Sequence, residues 1–144
     1  VASSFRSGEK SASKALDGDP STRWSSWHED NQWLKVDLGA VFLLRHVEIV
    51  WERAYAQEYR LEGSVDGEVW TDMARERGQE GQVTTLLPVG SRARWVKMMG
   101  LRRAIVDERC YGFSIWDFRV YGAGSHHGGR DAELPLSPSP TPPR

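Results

Sequence analysis

Cysteine occurs once in the 144 residues, at Cys110, so no disulfide can close within the chain. The fold must rest on a buried core, and a chain of this length can supply one. No apolar run approaches the ~18 residues that a membrane-spanning helix needs. An excess of one charge is missing too: Lys and Arg total 19 against 20 for Asp and Glu, a formal net charge of −1. Nucleic acids and acidic membranes select strongly basic faces, so neither is expected as the main partner. Histidine is scarce, at His28, His46, His126 and His127, and no G-x-S-x-G or H-E-x-x-H segment occurs, so common hydrolase and zinc-protease signatures are absent. No stretch carries the caps and 3.6-residue period of a three-turn helix; residues 11–16 support a single turn at most. An initiator Met and a signal peptide are lacking, which reads as a piece of a longer protein.

Tryptophan, by contrast, is abundant, with seven in the chain. Apolar residues mostly follow a period of two. Strands are expected over 33–38, closed by Gly39, and over 41–51, where Val47, Ile49 and Trp51 point inward and His46, Glu48 and Val50 outward. Further strands are expected over 59–64, at Val69 and Trp70 after an Asp66-Gly67 turn, and over 83–87, 94–99 and 113–121. Many short strands with Gly-marked turns predict an all-β sandwich or jelly roll. Composition changes near Ala123. Residues 123–144 hold five of the seven prolines and no aromatic, which predicts a disordered or extended Pro/Ser/Gly-rich linker behind a domain of residues 1–122.

Five segments stand in a telling order: ALDGDPSTRWSS (15–26), DNQWLKVDLG (30–39), YRLEGSVDGEVWT (59–71), RWVKMMG (94–100) and GFSIWDFRVYG (112–122). Together they resemble a discoidin domain, also called the coagulation factor V/VIII type C domain, closest in pattern to family 32 carbohydrate-binding modules. The resemblance covers residues 1–122. It implies an eight-stranded, galactose-binding-domain-like jelly-roll β-sandwich, a structural calcium ion, and a non-catalytic binding module that rides on a larger extracellular or cell-surface protein.

Asp17-Gly18-Asp19 with Ser21 and Thr22 is a tight loop dense in the hard oxygen donors that calcium takes. The plain alternative is that the two carboxylates only hydrogen-bond their own turn. The resemblance adds a carbonyl near Lys14, the Trp116 carbonyl and the Asp117 carboxylate, where relatives mostly carry Glu, to the side chains of Asp17, Asp19 and Thr22.

Sugar recognition needs an aromatic face and planar polar groups aimed at hydroxyls. Three loops offer them. SSWHEDN (25–31) places Trp27 and His28 in polar surroundings, whereas Trp24 belongs to the core. WERAYA (51–56) follows a long strand; the pattern W-E-x-A-Y-A is that of related modules binding gluco-configured chains, with Glu52 to accept from hydroxyls, Tyr55 as ring or packing residue, and Trp51 in the core. LRRAIVDERCYGFS (101–114) offers Arg103, Tyr111 and Phe113, against the plain alternative of a loop salt bridge and packing aromatics. Arg23 and Asp37 are expected to be structural, and Cys110 either a free thiol or a link to another chain.

An enzyme would need a catalytic constellation, and paired carboxylates from distant loops leave no sequence signature. Phosphatidylserine binding is opposed by the acidic first loop. The expected ligand is a poly- or oligosaccharide such as a β-linked glucan, glucosamine or mannan chain, with the linker joining neighbouring domains. An adhesive domain gripping a protein partner is the alternative.

Overall fold

A computed structural model describes residues 1–123 and 133–135. In chain order the strands are β1 (Trp24–Ser25), β2 (Trp33–Trp51), β3 (Ala56–Ser64), β4 (Thr71–Glu76), β5 (Gly81–Leu86), β6 (Arg92–Arg103), β7 (Ile105–Val106), β8 (Arg109–Cys110), β9 (Ser114–Ala123) and β10 (Glu133–Pro135). Two 3-10 turns, Gly8–Lys10 and Ala12–Ala15, precede them. The second falls where a single turn is expected. β7 and β8 form a separate hairpin, and the other eight strands make one connected antiparallel system.

That system folds on itself through β2, which runs for 19 residues. Its first part, from Trp33 to Asp37, pairs with β6, which continues to β3 and β4. Its last part pairs with β9 on one edge and β5 on the other. The two strands expected over 33–38 and 41–51 are therefore one strand that changes sheets. The register breaks between Asp37 and Phe42, where Gly39 takes φ 86°, a conformation a Cβ would oppose. Asp37 fixes this corner. It accepts the Gly39 N–H at 2.9 Å and the Arg94 Nε–H and Nη2–H at 2.8 and 2.9 Å. The Arg94 hydrogen bonds hold its carboxyl below the usual range.

The core between the two sheets is built on Trp24, Trp51, Tyr59, Phe113 and Phe118, all at most 1% exposed. Val47, Ile49 and Trp51 alternate inward along β2, each 1% exposed, as their period of two predicts. Fully burying each such side chain contributes roughly 1.5–3 kcal/mol. On the outer face of the β2–β6–β3 sheet, Trp33, Trp70 and Trp95 surround two lysines. Lys97 Nζ lies 4.1 Å from the centroid of Trp70, and Lys35 Nζ lies 4.9 Å from Trp33 and 5.6 Å from Trp95.

Three local differences from the sequence reading have physical causes. Val69 and Trp70 are not a strand, because the Asp66 carboxylate accepts the N–H groups of Glu68 and Val69, each at 2.9 Å, and holds them in the loop. The strand starts only at Thr71. β1 and the β7–β8 hairpin are two-residue pairings too short to show a period. In the expected linker, Ala123 ends β9, and Glu133–Pro135 folds back to pair with residues 121–123. The rest of that segment lies outside the described residues.

Candidate functional site

The three loops singled out by sequence meet at one end of the sandwich. Backbone hydrogen bonds stitch them together. Ser26 N–H donates to the Phe113 carbonyl at 2.9 Å, Glu52 N–H to Ser114 at 3.0 Å, and Ser114 N–H to Ala54 at 2.8 Å. The Ser26 hydroxyl also accepts the Phe113 N–H at 2.8 Å. Gly112 is required at this seam, since a Cβ there would lie 2.6 Å from the Trp27 carbonyl oxygen and closer still to that of Ser26.

Between the stitched loops opens a pocket of about 200 Å³, lined by Arg6, Arg23, His28, Glu52, Arg53, Asp107 and Tyr111 with Ser25, Ser26 and Ser114. His28 meets Tyr111 edge to face, with ring centroids 5.6 Å apart. Arg23 Nη1 lies 3.1 Å from Glu52 Oε1, and the guanidinium sits 5.3 Å from the Trp116 ring centroid. The other Glu52 oxygen accepts the Ala54 N–H at 2.9 Å. At the rim Arg53 pairs with Asp107 at 2.7 Å, and that hydrogen bond favours the charged guanidinium further. A wider depression of about 460 Å³, lined in part by Val65, Met73 and Val89, holds none of the expected site residues.

Of the seven expected sugar contacts, His28, Glu52 and Tyr111 line this pocket. Trp27 stands outside it, 56% exposed on the adjoining loop. Arg103 is turned away, its backbone N–H and Nε–H both donating to Asp30 at 3.1 and 2.9 Å. Tyr55 also lies outside the lining; its half-buried ring packs on the core beside Gly78. Phe113 corrects the expectation outright. It is 0% exposed, and its ring fills the space over Gly100, where a Cβ would come within 2.5 Å. A ring with no face to solvent cannot stack on a sugar.

Sequence reasoning passed over Arg6, Arg53 and Asp107 and gave Arg23 only a structural part. Arg23 does form an ion pair, with Glu52, but that pair lines the pocket. Asp107 reaches the rim on the β7–β8 hairpin, whose two central residues, Asp107 and Glu108, have φ 50° and 63°. A type I′ two-residue hairpin demands positive φ at both central residues, and Asn-Gly or Asp-Gly would have announced one. Asp-Glu carries no such signal. Cys110 is exposed and makes no disulfide.

On the flank of the sandwich, the residues expected around calcium converge in part. Thr22 Oγ1 lies 2.6 Å from Asp17 Oδ2 and 3.2 Å from the carbonyl oxygens of both Lys14 and Asp19. Asp19 binds the Ser21 hydroxyl and N–H at 2.6 and 2.9 Å, and these hydrogen bonds keep its carboxyl below the usual range. Asp117 gives one oxygen to Arg119 Nε at 2.6 Å. Hard oxygens of the kinds a calcium ion takes are gathered here, from carboxylates, carbonyls and hydroxyls, with the Asp19 carboxylate engaged by its own turn and one Asp117 oxygen by Arg119. Among the described residues no cluster of three or more His, Cys, Asp or Glu forms.

Comparison with known proteins gives this architecture its place. Residues 1–110 match the F5/8 type C domain. The chain belongs to that family. The crystal structure of chitosan-binding module 1 of a chitosanase/glucanase from Paenibacillus sp. IK-5 superposes on this F5/8 type C domain with a TM-score of 0.77 at 34% identity, over 85% of this chain and 92% of that one. The family 32 module of NanJ from Clostridium perfringens, solved with galactose, shares the fold with a TM-score of 0.69 at 24% identity, over 83% and 90% of the two chains. A curated relative, the polysaccharide lyase 8 family protein HylA of Enterococcus faecalis, is 35% identical over 112 residues. The match covers 75% of this chain and only 8% of that protein. The F5/8 type C match bears out the discoidin resemblance, and the two solved structures bear out the β-sandwich.

Proposed function

We propose that this F5/8 type C domain is a non-catalytic carbohydrate-binding module of a larger extracellular, glycan-degrading protein, and that its glycan sits in the pocket lined by Arg23 and Glu52. The observation that carries this reading is the convergence of three loops on one small polar pocket edged by His28 and Tyr111, in a fold shared with a chitosan-binding module. Guanidinium and hydroxyl groups suit vicinal sugar hydroxyls, and the Tyr111 ring offers an apolar contact for ring C–H groups. Such a small open site holds one or two sugar rings. Affinity per site is then weak, and retention comes from tethering to neighbouring domains.

Calcium belongs to this proposal in a structural part. Asp17, Asp19 and Thr22, with the Lys14 and Trp116 carbonyls and the second Asp117 oxygen, would hold it, fastening the loop before β1 to β9. The ion would supply charge compensation and rigidity, and the pocket chemistry stays with the protein's own side chains. With calcium bound, Asp17→Ala is expected to lower Tm, and after chelation to have little effect; equal destabilisation in both buffers rules the ion out.

A glycan array on the full chain tests the main reading. Binding to a defined sugar class that Tyr111→Ala weakens about tenfold or more supports it. A folded chain with a blank array discards it and leaves the adhesive, protein-binding alternative.

A further inference from the structure

The pocket lining holds three arginines, Arg6, Arg23 and Arg53, against two carboxylates, Glu52 and Asp107. Both carboxylates are already ion-paired, Glu52 to Arg23 and Asp107 to Arg53. Glu52 also spends its second oxygen on the Ala54 N–H. Arg6 has no acidic partner among the described residues. Arg23 is only partly satisfied: its Nη1 reaches Glu52, while its Nε is buried with no hydrogen-bond partner and lies out of a ligand's direct reach. The local excess of positive charge stands out in a chain whose net charge is −1.

From this imbalance we infer that the pocket selects a sugar bearing a carboxylate, that is, a uronic acid unit of an acidic polysaccharide. This rests on the carbohydrate-binding reading above and narrows it. Cationic donors outnumber carboxylates by three to two and each carboxylate is already ion-paired, so the missing component is an anionic acceptor. A planar carboxylate matches a guanidinium with two parallel hydrogen bonds, which a hydroxyl cannot do. The Trp116 ring beneath Arg23 and the Glu52 contact beside it hold that guanidinium in place, which reduces the ordering cost of binding. A glucosammonium chain of the chitosan type brings further cations to a site whose carboxylates are committed, so the same arithmetic disfavours it.

The test is calorimetry on the full chain with trigalacturonate, cellotriose, chitotriose and a sulfated, uronate-free carrageenan oligosaccharide, at low and at about 0.15 M salt. Trigalacturonate is expected to bind about tenfold or more tighter than cellotriose, with chitotriose weakest and the preference shrinking as salt rises. Arg6→Ala is expected to bring the trigalacturonate-to-cellotriose ratio toward one. Equal or tighter binding of cellotriose or chitotriose overturns the uronate assignment and leaves the carbohydrate reading standing. Tighter binding of the sulfated oligosaccharide overturns the carboxylate in favour of a sulfate ester. No binding here together with a blank glycan array overturns both readings.

Discussion

Two regions of this domain concentrate aromatic and cationic side chains, and they differ in how far their groups are committed. On the outer sheet face, Lys97 and Lys35 lie over the rings of Trp33, Trp70 and Trp95, and Lys97 approaches Glu62 at 3.7 Å. Each cation there has an aromatic face and each ring has a cation. At the loop end, Arg23 and Glu52 satisfy one another only partly, Arg6 is unpaired among the described residues, and the rings of His28 and Tyr111 meet beside an opening. Tryptophan count alone would have pointed to the sheet face. Residual hydrogen-bonding capacity points to the loops.

Substitutions can break or sharpen that contrast. The largest effect is expected from Phe113→Ala, which empties the core beneath the pocket. A loss of roughly 3–5 kcal/mol in chemical denaturation is expected, whereas a ring at the surface would cost far less. Arg23→Ala comes next. It strips Glu52 of its partner and removes part of the pocket lining, so denaturation should show a loss of about 1–3 kcal/mol and calorimetry a fall in glycan affinity beyond what Tyr111→Ala produces. For Trp70→Ala the expectation divides: stability falls by about 1 kcal/mol and glycan affinity stays where it was. A drop in affinity would make the sheet face part of the site and erase the distinction.

The smallest effect concerns pH. Asp37 has a depressed carboxyl because Arg94 hydrogen-bonds its charged form. A group depressed on folding contributes stability above its unfolded value near 3.9, and that contribution is lost as pH falls through the lower folded value. Wild-type Tm is therefore expected to decline below about pH 4 more steeply than that of Asp37→Asn, measured by thermal melts across acid pH.

Most of the architecture could be read from period and turn residues. Val47, Ile49 and Trp51 declared the inner face of β2, and the polar, aromatic segments SSWHEDN and WERAYA located two of the site loops. What period does not encode is which side chain meets which. Phe113 and Tyr111 are two residues apart in the same loop, yet one fills the void over Gly100 and the other edges the pocket. Arg103 was expected to meet the sugar and Arg23 to be structural, yet Asp30 occupies Arg103 while Arg23 lines the pocket. The Asp107-Glu108 turn stayed hidden because its residues adopt positive φ without the glycine that normally signals it.

Among the described residues β2 is the one strand that pairs with both β6 and β9, passing from one sheet to the other at Leu43, just beyond the Asp37–Gly39 corner. Neither sheet can be peeled off while the other keeps its full complement of partners, because either departure tears the same continuous strand. A pull on a tethered glycan is thus carried from the loop after Trp51 down a covalent backbone through the whole body. Under load the module should hold as one unit and then give way in a single rupture, with no half-opened form that lets go of its ligand early.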